Sequence, residues 1–171
     1  MLELKNIKFR GKRTDVDKWT KGGITVPLLE PQDDVQKEYR IVSENNGSFY
    51  RVHQNSIGRL TGHRIWNEEN PEYCTDEVYE GDIVATMPLW EYEEFQMSNR
   101  DGKKVPKLKN YVIGYEGAEL VYFEMNKSGK LEKVEQYDDG SHETYSVSQT
   151  DYDRVVGNFF ENPELVHGYK K

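Results

Sequence analysis

Cys74 and the four histidines His53, His63, His142 and His167 are the residues best suited to nucleophilic chemistry. A thiol activated by an imidazole base attacks electrophilic carbon. Cys74, however, lies among Glu72, Asp76 and Glu77, and neighbouring carboxylates oppose the thiolate that such chemistry needs. His53, His63, Cys74 and His142 also lack the short ligand spacings of a zinc site. Tyr79-Glu80-Gly81-Asp82 offers two carboxylates, a pair able to share acid and base roles or to hold a cation. The same four residues suit a tight turn, with Asp82 bonding turn amides, Gly81 permitting the backbone and Glu80 facing solvent. The chain holds no phosphate-cradling GxxxxGK[ST] loop and no GxGxxG following a strand. No catalytic, cofactor-binding or metal-ligating residue is assigned, and an enzyme has the weakest support among the readings.

Charge is a stronger signal. The net charge is −8, but residues 67–99 carry ten carboxylates and no Lys or Arg, a local sum of −10. Residues 100–109 return +4, and the first 21 residues, with seven bases against three acids, also sum to +4. A phosphate-binding surface would have to come from these two basic patches, because the rest of the chain repels a nucleic-acid backbone. Glu91, Glu93 and Glu94 are the candidate contacts for a basic protein partner. Lys103, Lys104 and Lys107, with Lys109, are the candidate contacts for nucleic acid. Trp90, Tyr92, Phe95, Tyr111, Tyr115, Tyr122 and Phe123 could add a base-stacking platform, although core packing is the ordinary use of such residues.

These side chains must be positioned by strands. Apolar residues alternate over Leu4 to Arg10, and Ile24 to Leu29 is β-branched but interrupted by Pro27, which suits an edge. Two β-prone runs, 38–42 and 48–52, flank Glu44-Asn45-Asn46-Gly47 and predict a hairpin. Gly81-Asp82 opens a buried strand, and 111–115 and 119–125 are strands around Glu116-Gly117. Residues 90–97 fit neither the strand nor the helix period. Asn162-Pro163 predicts one helical turn after a last strand at 154–160.

A chain of 171 residues with 12% aromatics is long enough to bury a core. One cysteine excludes an internal disulfide and suits a reducing compartment. No run approaches the ~18 apolar residues of a membrane span, and the start lacks a signal-peptide core. The expectation is a cytoplasmic protein without membrane contact.

Four segments together resemble the YopX family of phage and prophage proteins. They are Ile7-Lys8-Phe9-Arg10, Gly58-Arg59-Leu60-Thr61-Gly62, Val78-Tyr79-Glu80-Gly81-Asp82-Ile83-Val84, and Val156-Gly157-Asn158-Phe159-Phe160-Glu161-Asn162-Pro163-Glu164-Leu165. The family's Trp-Asp after the opening strand is Gly11-Lys12 here, and the loop before Val78 also differs. The resemblance implies a mostly β architecture, a barrel-like C-terminal part and a bacterial host. It carries over no site residues.

The sequence therefore predicts a mainly β protein with little helix. An irregular β region at 1–62 and a linker at 63–77 precede a small β-barrel or SH3-like part at 78–171. The expected function is that of a phage or prophage accessory protein binding a host or phage protein without catalysis. The alternative is a nucleic-acid-binding barrel using the 100–109 loop. A homo-oligomer is compatible with either.

Overall fold

A computed structural model of the chain describes residues 7–25, 39–65, 71–75, 77–87, 89–99, 106–138, 141–144 and 152–170. The protein is mainly β, with two antiparallel five-stranded sheets, a two-stranded hairpin and one α-helix among the described residues. It divides into two compact units, residues 1–60 and 61–171. None of the described helices is long and apolar enough to cross a membrane.

The first unit holds β1 (Phe9–Lys12), β2 (Trp19–Thr25), β3 (Tyr39–Ser43), β4 (Phe49–Val52) and β5 (Gly58–Arg59), ordered β4-β3-β2-β1-β5. The hairpin predicted around Asn45-Asn46-Gly47 joins β3 to β4, with Ile41 opposite Tyr50 and Val42 opposite Phe49. The strands alternate: Gly11, Thr20, Gly22, Ile41, Ser43 and Val52 are buried on one face. Antiparallel sheets with one face on a core give this period of two. Beyond the strand ends the sheet curls until Arg13 bridges Val52. The Thr14 N–H donates to the Arg51 carbonyl (3.1 Å) and the His53 N–H to that of Lys12 (2.9 Å). The region expected to be irregular is thus a regular, strongly curled sheet. Small residues inside the curl let its walls approach closely.

The second unit holds β6 (Asp82–Thr86), α1 (Leu89–Ser98), β7 (Lys109–Glu116), β8 (Glu119–Met125), β9 (Leu131–Lys133), the hairpin β10 (Glu135–Asp138) and β11 (Ser141–Thr144), and β12 (Arg154–Asn158). Its sheet order is β12-β6-β7-β8-β9. This is an open sheet, not the barrel or SH3-like closure expected for 78–171. Its edges β12 and β9 are not paired with each other among the described residues. The reason is burial on both faces. Ile65, Val78, Val84, Tyr111, Ile113 and Tyr122 pack on one side, and Ile83, Val112, Met125 and Val166 on the other. Flanking chain supplies covering side chains, Ile65 and Val78 on one face and Phe159 and Val166 on the other, so the sheet need not close on itself.

Ile83, Val84, Val112, Ile113 and Val121 are all buried, as the strand pattern predicts. Leu120, Phe123, Val155 and Val156 are half-buried and pack against them. Each fully buried aliphatic contributes about 1.5–3 kcal/mol. Ile65 is itself a core residue, bridged at Thr75, although it falls in the segment expected to be a linker. The C-terminal chain is tied down by backbone bonds. The Met125 N–H donates to the His167 carbonyl (2.9 Å), and the His167 N–H to the Asn110 carbonyl (2.7 Å).

Candidate functional site

The turn Tyr79-Glu80-Gly81-Asp82 is a structural device. Asp82 is 1% exposed, and its Oδ2 accepts the Tyr79 N–H at 2.8 Å. The Asp82 N–H in turn donates to the Tyr79 carbonyl at 2.9 Å, closing the turn from both sides. Gly81 has φ +86°, a conformation that glycine adopts at no steric cost. A carboxylate so buried cannot meet a substrate, and Glu80 is half-buried rather than turned to solvent. A second buried carboxylate, Asp153, accepts from the Thr86 hydroxyl at 2.7 Å, both residues being 0% exposed. Asp82 and Thr86 end opposite extremities of β6, so the two carboxylates form no pair.

Cys74, half-buried and in no disulfide, follows a 3-10 turn at Pro71–Tyr73. No group of three or more His, Cys, Asp or Glu side chains poised for a metal occurs among the described residues. His63 is half-buried, and burial holds its imidazole below its ordinary pKa.

The described part of the acidic run is dispersed by the fold. Asp82 is inside a turn, Glu72 sits on the 3-10 turn, and Glu91 on α1 is ion-paired with Lys109 (Nζ to Oε1, 2.7 Å). Glu93 and Glu94, also on α1, are exposed. Lys107 is exposed, whereas Lys103 and Lys104 lie outside the described residues. Among the described side chains the proposed aromatic platform is not assembled. Tyr111 and Tyr122 are core residues with ring centroids 5.7 Å apart. Tyr92 and Phe95 pack edge-on against Tyr152, and the Tyr115 hydroxyl donates to the Thr61 carbonyl at 3.0 Å.

A different concentration of charge emerges in the first unit. Its five strands contain six cations, Arg10, Lys12, Lys21, Arg40, Arg51 and Arg59, and not one carboxylate. The unit's described carboxylates, Asp15, Asp17 and Glu44, all sit in turns. Strand alternation sorts the cations. Arg10, Lys12, Lys21, Arg40 and Arg51 fall opposite the buried set, on the outer face. Trp19 and Phe49 share that face by the same alternation. The Arg10 guanidinium lies 5.0 Å over the Trp19 ring, and Phe49 is 63% exposed.

The sheet's rim is organised separately. Arg13 stacks 3.8 Å over Tyr50 and donates to both Asp15 carboxylate oxygens, at 2.8 and 2.5 Å. That bidentate bond raises the Arg13 pKa and lowers that of Asp15. Tyr50 is also lowered, chiefly by the Asn46 side-chain amide, which donates to its hydroxyl at 3.0 Å. Whole-unit charge follows the same division. Residues 1–60 carry eleven bases and eight acids, whereas 61–171 carry twelve bases and twenty-three acids.

No family model, curated protein or solved structure matches this chain.

Proposed function

We propose that the protein is a non-enzymatic binding module whose N-terminal unit engages a polyanionic macromolecule. The observation that carries this reading is the composition of the first sheet: six cations in its strands and no carboxylate. Strand residues chosen only for solubility would mix both signs, as the strands of the second unit do with Lys109, Glu116, Glu119, Lys133 and Arg154. An excess of one sign steers an oppositely charged partner and orients it, although Lys12 on this face is ion-paired with Asp17. The second unit, at −11, repels the same partner and so confines it to the first.

The four segments resembling the YopX family support a setting in phage or prophage biology, in the cytoplasm of a bacterial host. A second reading rests on Glu93 and Glu94, adjacent and exposed on α1, which suit a basic protein partner. A titration of the full chain by fluorescence anisotropy separates the two. The probes are labelled heparin, an oligonucleotide, polyglutamate and polylysine at low salt. Binding to the polyanions and not to polylysine is the expected result. Binding to polylysine alone would replace the first reading by the second.

A further inference from the structure

The hairpin tip between β3 and β4 holds an arrangement that the proposed binding does not use. Asn46 and Gly47 are both exposed there. The backbone nitrogen that follows an asparagine can attack the side-chain amide carbon and close a five-membered ring. A side chain on that following residue hinders the approach. Gly47 has none, and nothing lies within 4 Å of the position its Cβ would occupy.

The same turn places groups that assist such an attack. The Ser48 N–H donates to Asn46 Oδ1 at 3.0 Å. That oxygen gathers negative charge as the amide carbon becomes tetrahedral, and a fixed backbone donor stabilises it. Asn46 Nδ2, the leaving group, donates to the Tyr50 hydroxyl at 3.0 Å. In the tetrahedral intermediate Nδ2 is a basic amine, and a phenol within hydrogen-bond reach can protonate it. The Asn46 amide, the Ser48 hydroxyl and the Arg13 guanidinium 3.8 Å over the ring hold the Tyr50 pKa below its ordinary value, which makes it the better acid. One bond opposes the reaction. The Gly47 N–H donates to the Ser43 carbonyl at 2.8 Å and must release it to turn toward Asn46. Asn126 is the natural comparison. Its Oδ1 likewise accepts the Ser128 N–H, at 2.9 Å, but Lys127 follows it and its amide donates to the Glu132 carboxylate rather than to a phenol.

We infer that Asn46 is a site of self-modification, with the Gly47 nitrogen as nucleophile, the Ser48 N–H as oxyanion donor and Tyr50 as the acid for the leaving ammonia. The Gly47 nitrogen gives its proton to water as it bonds to Asn46 Cγ. The Cγ–Nδ2 bond then breaks, Nδ2 takes the phenol proton and departs as ammonia, and the phenolate recovers a proton from solvent. Water opens the resulting succinimide at one of its two carbonyls, leaving aspartate or isoaspartate at 46. Water is the sole co-reactant. The first unit then holds nine acids in place of eight against its eleven bases, and its net charge falls from +3 to +2. Isoaspartate also lengthens the backbone inside the turn that the Ser43 N–H closes on the Ser48 carbonyl at 2.9 Å.

The test is incubation of the full chain near neutral pH, followed by peptide mass spectrometry with aspartate and isoaspartate separated by chromatography. Asn46 is expected to convert at least about tenfold faster than Asn126. Tyr50→Phe keeps the ring under Arg13 and removes the proton donor. It should slow Asn46 conversion about tenfold, less than the roughly hundredfold or more that a positioned acid supplies in an enzyme. The wild-type chain unfolded in guanidinium chloride is the second measurement. It keeps the Asn-Gly sequence but loses the Ser48 and Tyr50 contacts, and should convert more slowly than the folded chain. Equal rates in the folded chain, the Tyr50→Phe variant and the unfolded chain would overturn the inference, because sequence alone would then set the reaction. An Asn46 that stays intact while Asn126 converts would overturn it as well.

Discussion

Replacing Gly22 by alanine would place a methyl carbon 1.8 Å from the Val42 carbonyl oxygen and 2.9 Å from its carbonyl carbon. Neither atom belongs to a side chain that can swing away. Relief requires β2 and β3 to part where Gly22 faces Ser43. Gly22 also has φ +151°, so a side chain there is strained whatever the space. Backbone strain of this kind costs about 1–3 kcal/mol, and overpacking a similar amount. The sum, about 2–6 kcal/mol, compares with a stability of roughly 3–9 kcal/mol for a unit of some 60 residues. Gly22→Ala is therefore expected to lower the melting temperature of the first unit by more than about 10 °C. Gly23 is the internal control, because a Cβ there meets nothing within 4 Å. Gly23→Ala should be neutral or stabilise by up to about 1 kcal/mol. Hydrogen exchange followed by mass spectrometry on peptides from 9–25 and 109–125 reads the units separately. Indistinguishable protection in the two variants would refute the register assigned to the curled sheet.

Asp82→Ala should destabilise the second unit by about 2–3 kcal/mol in urea denaturation, because the buried Tyr79 N–H loses a charged acceptor. His63, its pKa lowered by burial, binds fewer protons folded than unfolded below about pH 6.5. Stability is full above that pH and falls as pH drops toward the folded value; His63→Gln should flatten this dependence, and an imidazole titrating at or above 6.5 by NMR would contradict it. If a basic peptide binds at α1, replacing Glu93 and Glu94 with Gln should slow association more than it speeds dissociation, as stopped-flow kinetics would record.

Local chemistry made much of the fold legible. Asn46-Gly47 and Glu116-Gly117 mark the turns joining β3 to β4 and β7 to β8, because glycine there takes a backbone that other residues resist. Asn162-Pro163 predicts a helical turn, and a 3-10 turn begins at Pro163. Residues 90–97 fit neither period for a physical reason: Tyr92 and Phe95 meet Tyr152, but the apolar Met97 is exposed along with Glu93, Glu94 and Gln96, so no clean apolar stripe stands out. The barrel expected at 78–171 is an open sheet instead, because long apolar strands signal burial on both faces without saying what covers them. Here Ile65 and Val166 do so, from segments distant in sequence.

The candidate site was less legible still. Arg10, Lys21, Arg40 and Arg51 are spread over forty-two positions, among carboxylates of which the described ones, Asp15, Asp17 and Glu44, lie in turns. Only the pairing of β1 with β2 and of β3 with β4 makes them neighbours. A contiguous run such as 67–99 stands out in sequence and disperses in space, as Asp82 and Glu91 illustrate. The basic character of the first 21 residues was a usable hint, and strand alternation applied to it would have put Arg10, Lys12, Trp19 and Lys21 on one face.

Chemical-shift mapping of the nitrogen-15-labelled chain with a 20-nucleotide oligothymidylate locates the ligand directly. The expected result is a footprint on β3 and β4, centred on Arg40, Phe49 and Arg51, extending to Arg10, Trp19 and Lys21. Shifts confined to Lys107, Lys109 and α1, or none at saturating oligonucleotide, would contradict a cationic binding face on the first unit.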